Sequence, residues 1–580
     1  MSWPSNRAAS PPAGSVKEPP PAFPARAGHA GSTGTVRGAV DRVRNRVRAT
    51  PAAFVLLGVM VGLAARIVEY AKVRSFRIDE AFLALNIIRV PLSRLSQPLF
   101  LNQAAPFGFL YAAHGLASVF GYSELVLRFV PFAFGLLAML LFAKLAMDVL
   151  PPLAAALGTA LFAASPGVIY YSADFKQYSL DVCVVLLLYV LGFAAERRSF
   201  KGRGALAAIA LGVVAMWFSH ASVFAAVAFG AAYLGERLLR RTPRDLLGLP
   251  RLVLPWAVTA ACVVLLLPGQ LGGLRASLDN EPGAYPTTDS HADRARAVVG
   301  WLSGFGGTIA SSLGLPRTGH FDLLTKAIAV VCLLGLVSML RRRRQTALAL
   351  ALPVPLVLLA SAIHRYPILQ RTVLFCVPIA ILFLAEGAAV VVRFAARSGT
   401  AARLAATALV AAAVLVFPFV RSVDVLRIRD SDGMKPALAY VRTHWRPGDV
   451  LFLHYSSEYA FTYYSECRCA PAMHTNAALW PIAPLPLEPF EFSQVARSLS
   501  GRLRLSKFQG IAWNPAYRPE LRGLRRYRRV WFAMTFHDPE FTRQLRCLGT
   551  QRLATTGAAV ELFLFDIGPR KRTACANRSP

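Results

Sequence analysis

The chain has 580 residues, of which 55% are hydrophobic and 16% charged, with a formal net charge of +33. Soluble proteins carry about 25% charged residues, so the composition excludes an ordinary soluble domain and indicates an integral membrane protein. The basic excess falls largely in clusters between apolar runs, which reads as membrane topology and argues against nucleic-acid binding.

Residues 1–50 are rich in Pro, Ala, Gly and Arg, carry no apolar core and are expected to be disordered. Their last part, with Arg42, Arg44, Arg46 and Arg48, precedes the first long apolar run, Pro51–Tyr70, and places the N-terminus in the cytoplasm. No small-residue cleavage pattern follows that run, so it reads as a span and not as a signal peptide. A polar loop, 72–124, comes next, with Asp79-Glu80 near its start and Gln103-Ala104-Ala105-Pro106 further on. The stretch 106–120 is short and interrupted by Pro106, Gly108 and Gly115, and is expected to lie in the interface as a helix without crossing.

Leu125–Val149, Leu153–Tyr171 and Tyr178–Ala195 are then three crossings, leading to the basic cluster Arg197–Arg203. Two spans broken near Ser219-His220 follow. Leu252–Pro268 and Leu323–Leu340 flank a large loop, 269–322. Thr346–Ile363 and Thr372–Val392 enclose the short loop His364–Arg371, and Ala401–Val420 is the last span. With further basic clusters at Arg237–Arg251, Arg341–Arg344 and Arg393–Arg403 held cytoplasmic, the count is about eleven spans over 51–420. Residues 421–580 then form an extracytoplasmic domain. Strands are expected at Asp449–His454, Val530–Phe536 and Val560–Ile567, with helices at Met434–Thr443 and Ser457–Tyr464, giving a small α/β fold. Cys467, Cys469 and Cys547 lie in this region, and a disulfide between two of them is expected there with the pairing open.

This topology brings three polar segments to one membrane face: the Asp79-Glu80 loop, the boundary Tyr171–Asp181, and His364–Arg371. Asp79 and Glu80 read equally as a helix cap or as solvated loop charges when taken alone. The second segment adds Asp174, Lys176 and Tyr178 at the boundary, and Asp181 inside a span, where a carboxylate must face the bundle interior. His364, Arg365 and Arg371 form a cationic set suited to a phosphate at the surface. The two acidic loops bring no convergent histidines, a weak pattern for a metal; a divalent cation is left open.

Together these segments resemble the GT-C membrane glycosyltransferases of the protein O-mannosyltransferase and aminoarabinose-transferase type, in bacterial form. The matching residues are Asp79-Glu80, Gln103–Pro106, Leu125–Pro131, Tyr171–Leu180 and His364–Pro367 with Arg371. The chain departs from many members at the interfacial helix, where Gln103-Ala104-Ala105-Pro106 stands in place of a His or Lys followed by Pro-Pro. The resemblance implies a plasma-membrane enzyme that moves a sugar from a polyprenyl-phosphate donor to an extracytoplasmic glycoconjugate or protein. Inversion by a single displacement is implied, with Asp79 as base and Glu80 and Asp174 assisting. Lys176, Arg365 and Arg371 would hold the donor phosphate, and Gln103, Tyr178, His364 and Asp181 would contact substrate. The alternatives are a transporter or flippase of lipid-linked sugars, and an envelope scaffold. The transporter is disfavoured because no internal repeat is visible and no charged residue is read deep in a span.

Overall fold

In the computed structural model the described residues are 33–99, 102–198, 200–240, 249–279, 285, 294–316, 322–427, 433–466, 503–505, 524–535, 539–546, 549–556 and 560–567. The chain divides into two compact units, 1–50 and 51–580. Helix α1 runs Thr33–Ala71, with Pro51 inside it. Residues 1–32 lie outside the described set.

After α1 come α2 (Ile78–Arg89), α3 (Phe107–Phe120), α4 (Glu124–Val149), α5 (Pro152–Ala163), α6 (Pro166–Tyr171) and α7 (Tyr178–Arg197). Ser123 starts α4 by accepting from the Val126 amide at 3.3 Å. Pro152 opens α5 and Pro166 opens α6, so one expected span is split in two at Ser165. Then follow α8 (Arg203–Met216), α9 (Ser222–Arg240), α10 (Leu249–Asp279), α11 (Arg294–Ser312) and α12 (Asp322–Arg342). The expected loop 269–322 is thus partly helical, taken up by the end of α10 and by α11. The bundle closes with α13 (Arg344–Ala351), α14 (Pro353–Ala362), α15 (Cys376–Ala395) and α16 (Thr400–Arg427).

Among the described residues eight segments are long and apolar enough to cross a membrane, one of them, Arg344–Ala362, made of α13 and α14 together. Four more are apolar but shorter: α3, α5, α8 and the segment Val253–Leu267 of α10. The expected eleven spans correspond to the eight plus the last three of these, with α3 set aside. At the crossing of α12 and α15, Gly335 and Gly387 bring backbone against backbone, and a Cβ on either would collide with a carbonyl oxygen of the other helix.

The last region contains α17 (Met434–His444), α18 (Tyr455–Glu466) and α19 (Pro539–Arg546) around a five-stranded sheet. Its strands are β1 (Val450–Leu453), β2 (Leu503–Leu505), β3 (Arg529–Met534), β4 (Thr550–Thr556) and β5 (Glu561–Asp566), in the order β2-β1-β3-β5-β4. β1 is parallel to β2 and β3, whereas β5 is antiparallel to β3 and β4. β1, β3 and β5 are the three strands expected. Cys467, Cys469 and Cys547 fall outside the described residues, and the expected disulfide with them. This domain shares a core with the first loop: Phe76, Leu83 and Phe109 cluster with Met434, Tyr463 and Trp531.

Candidate active site

The two ends of the bundle differ in charge. At one end, where α4, α7, α12 and α15 finish, Arg197 meets Asp148 at 3.2 Å and Arg342 meets Glu386 at 2.9 Å. At the other end, where α4, α7 and α15 begin, the loops 72–77, 172–177 and 364–371 converge on the first turn of α2.

Glu80 anchors that convergence. It stands at the third residue of α2 and accepts the Arg77 amide at 3.1 Å, as half of a capping box does. Arg128 of α4 grips it with both Nε and Nη2 at 2.8 Å, and the Phe175 amide donates to it at 2.7 Å. Arg128 also donates to the Arg74 carbonyl at 2.6 Å and lies 4.7 Å from the Phe76 ring centroid. Burial alone raises the Glu80 carboxyl, but the Arg128 charge and hydrogen bonds outweigh it and hold the group below the usual range. One carboxylate therefore ties α2, α4 and both flanking loops together.

Asp79 points elsewhere. Its Oδ2 accepts from Arg371 at 2.8 Å, 292 residues away, and its Oδ1 accepts the Glu80 amide at 3.1 Å. The Asp79 side chain keeps 18% exposure and Arg371 33%, whereas Glu80 keeps none. Burial pushes the Asp79 carboxyl up; Lys176, Arg371 and Arg77 together pull it below its ordinary value. Lys176 is buried and donates to Gln103 at 2.6 Å, so the two residues expected to contact substrate and phosphate meet. Desolvation lowers the Lys176 ammonium despite the nearby Asp79 charge.

Asp174 is 1% exposed, and its Oδ1 has no hydrogen-bond partner. Burial, then the Glu80 and Asp79 charges, push it up to about 8, so it carries its proton at neutral pH. Tyr178 packs edge-on against Tyr171 at 5.3 Å. Arg77 donates to the Tyr170 hydroxyl at 3.3 Å.

Three expected residues stand apart from this group. Asp181 does face the bundle interior, but its Oδ1 accepts from Ser219 Oγ at 2.6 Å and the Ala221 amide at 3.4 Å, which orders the turn between α8 and α9. His364 is exposed, adopts φ +54° and stacks on Tyr285 with ring centroids 4.6 Å apart. Arg365 is exposed beside it.

Arg128 was missed by sequence reasoning, although a charged residue within an apolar run is itself a signal. The reading that no charge lies deep in a span is also corrected. Arg66 is fully buried inside α1, donating to the Gly62 carbonyl at 2.8 Å and sitting 5.2 Å from the Phe162 ring centroid. The C-terminal domain reaches the site loop as well. The Phe76 amide donates to Tyr464 at 2.7 Å, Tyr464 donates to Glu124 at 3.1 Å, and Lys435 pairs with Glu124 at 2.9 Å.

Among the described residues no group of three or more His, Cys, Asp or Glu is placed to hold a metal ion.

Two solved folds are similar to this one. The Archaeoglobus fulgidus oligosaccharyltransferase AglB, in complex with an inhibitory peptide and a dolichol-phosphate, is 13% identical with a TM-score of 0.45, over 76% of this chain and 61% of that one. The chain therefore spans less than two thirds of the archaeal protein. ArnT from Cupriavidus metallidurans is 13% identical with a TM-score of 0.43 in its apo state and 0.42 with undecaprenyl phosphate, over 88% of this chain and 98% of that one. Both likenesses are of chain fold alone. No protein-family model matches the chain, and no curated protein does.

Proposed function

We propose that the chain is an integral-membrane glycosyltransferase that moves a sugar from a polyprenyl-phosphate donor to an acceptor hydroxyl. The observation that carries this reading is the Asp79–Arg371 pair, a partly exposed carboxylate held by a cation, with Lys176 beside it. Asp79 is ionised at neutral pH and is the accessible member of the three carboxylates, which suits a general base. Arg371 and Lys176 suit the leaving phosphate. Because Asp79 and Arg371 bind each other directly, donor phosphate would take Arg371 and leave Asp79 free to accept the acceptor proton. The acceptor oxygen then attacks the anomeric carbon opposite the phosphate, the glycosidic bond to phosphate breaks, and the configuration inverts. Glu80 acts through position, by fixing the turn that presents Asp79. Asp174, being protonated, offers a donor to a sugar oxygen. Gln103 holds Lys176, and Tyr178 lines the same end.

Basic residues gather at the opposite end of the bundle, which by the positive-inside rule supports a cytoplasmic position for that end and an outward-facing site, in what we take to be a bacterial plasma membrane. The buried Arg66 is the one observation that favours a transporter of lipid-linked sugars instead. Mass spectrometry of envelope glycoconjugates from a deletion strain tests the proposal. A sugar should disappear and return with the wild-type gene but not with Asp79→Asn at equal expression; full restoration by Asp79→Asn overturns Asp79 as base. Sugar transfer by the purified protein in detergent, where no compartment exists, separates enzyme from transporter.

A further inference from the structure

An apolar cavity of about 730 Å³ opens between helices in the half of the bundle away from Asp79. Leu57 and Val61 of α1, Leu153 of α5, Ala388 of α15, and Ala411 and Phe419 of α16 are among its walls. Thr407 is its polar lining residue, and the Thr407 hydroxyl is already donated to the Arg403 carbonyl at 2.8 Å. Along α16 the lining runs from Thr407 to Phe419. At 1.5 Å per residue that is about 18 Å, close to one leaflet of a ~30 Å hydrocarbon core. A wall of this length, with no hydrogen-bonding group to offer, suits one lipid chain.

The two ends of the groove decide which lipid. Beyond Phe419, toward the Asp79 end, Lys72 at the foot of α1 donates to the Val425 carbonyl of α16 at 2.6 Å and ties the two helices together. The opposite end carries exposed guanidinium groups. Arg403 stands four and eight residues before Thr407 and Ala411, on the same face of α16. Arg397 lies exposed in the short connection between α15 and α16, and Arg393 in the last turn of α15. Arg393 has Glu386 at 3.5 Å.

We infer that this groove is a binding site for an anionic phospholipid of the leaflet at the basic end, one acyl chain lying between α1 and α16 and the phosphate held by Arg403 and Arg397. Basic pockets between membrane helices at that side recognise anionic head groups in this way. The donor lipid is a poor occupant, because its phosphate belongs at the Asp79 end, where the Lys72–Val425 contact bridges the helices. The inference stands whether or not the transferase reading holds.

The test uses the full chain in nanodiscs of defined phosphatidylglycerol and phosphatidylcholine, followed by detergent extraction and native mass spectrometry. Wild-type protein should retain one phosphatidylglycerol in preference to phosphatidylcholine. Each guanidinium adds about five-fold to that preference, so Arg397→Ala with Arg403→Ala should lower it roughly twenty-fold. Ala411→Trp, which fills the groove, should abolish the adduct while the arginines remain. Equal retention of the two lipids by wild type, a reading that needs no variant, overturns the inference. So does an adduct that survives Ala411→Trp, or one displaced from wild-type protein by undecaprenyl phosphate.

Discussion

The ion pairs at the two ends of the bundle differ in burial more than in length. Arg197–Asp148 is 3.2 Å long with side chains 53% and 19% exposed, whereas Arg128–Glu80 is 2.8 Å long with 3% and 0%. Exposed pairs are screened and contribute at most about 1 kcal/mol, while a buried charge that loses its partner costs about 3–5 kcal/mol. Asp148 at the basic end is therefore a surface charge and Glu80 at the Asp79 end a structural one, while Glu386, 0% exposed beside Arg342, shows that the basic end also holds a buried carboxylate. Beside Glu80, Asp79 is the exception, since it alone of the two adjacent carboxylates retains exposure and a partner that a phosphate can take away.

The largest effect should come from that exception. Asp79→Asn should lower transfer about 10²–10⁴-fold, the usual contribution of a general base, with the thermal midpoint in detergent unchanged. The pH profile should show the same residues at work. Asp79 must be ionised, and its carboxyl lies below the ordinary range, so the acid limb should fall at lower pH than for an ordinary carboxylate. Lys176 must be charged, and burial lowers it, so the alkaline limb should appear below the usual lysine range. Asp174 loses its proton near 8 and adds to that limb. Lys176→Arg should move the alkaline limb upward; an unmoved limb would assign it to Asp174.

Next in size is Glu80→Ala, which strands the Arg128 guanidinium in a buried site and should cost about 3–5 kcal/mol. Reduced expression and a lowered midpoint in thermal unfolding are the expected readouts. If Glu80→Ala instead abolishes transfer at full stability, Glu80 belongs to the chemistry and not to the scaffold. Tyr464→Phe should be milder. It removes the hydroxyl that receives the Phe76 amide and reaches Glu124, and leaving a buried amide unsatisfied costs about 1–3 kcal/mol. Transfer should fall with donor affinity, because the strap 72–77 leads straight into Asp79.

Much of the site was legible because its residues lie at the ends of apolar runs. Asp79, Gln103, Asp174, Lys176, Tyr178 and Arg371 each mark such a boundary, and topology alone predicts that these boundaries share a face. Arg128 was not legible, since its meaning depends on Glu80, 48 residues earlier, and on packing that brings α4 beside α2. Asp181 shows the opposite failure: the carboxylate faces inward as expected, yet the Ser219 turn uses it. The grip of the C-terminal domain on the strap was equally hidden, because Tyr464 meets Phe76 across 388 residues of chain and Lys435 meets Ser75 across 360. β2 is only three residues long and β4, Thr550–Thr556, is mostly polar, so neither carries enough apolar alternation to be read as a strand.

The smallest effect should come from the basic end. Asp148 accepts from Lys144, which is 49% exposed, and from Arg197, so no buried charge is stranded when Asp148→Asn removes its charge. The expected loss is under about 1 kcal/mol, and it should shrink further in high salt as screening replaces the pair. Transfer in detergent should be unchanged, because no helix end at the Asp79 side depends on it. The contrast with Glu80→Ala is the sharpest check on the division of labour between the two carboxylates. If Asp148→Asn destabilised the protein as much as Glu80→Ala and salt made no difference, burial would not be what separates them, and Asp148 would have to be counted as part of the scaffold.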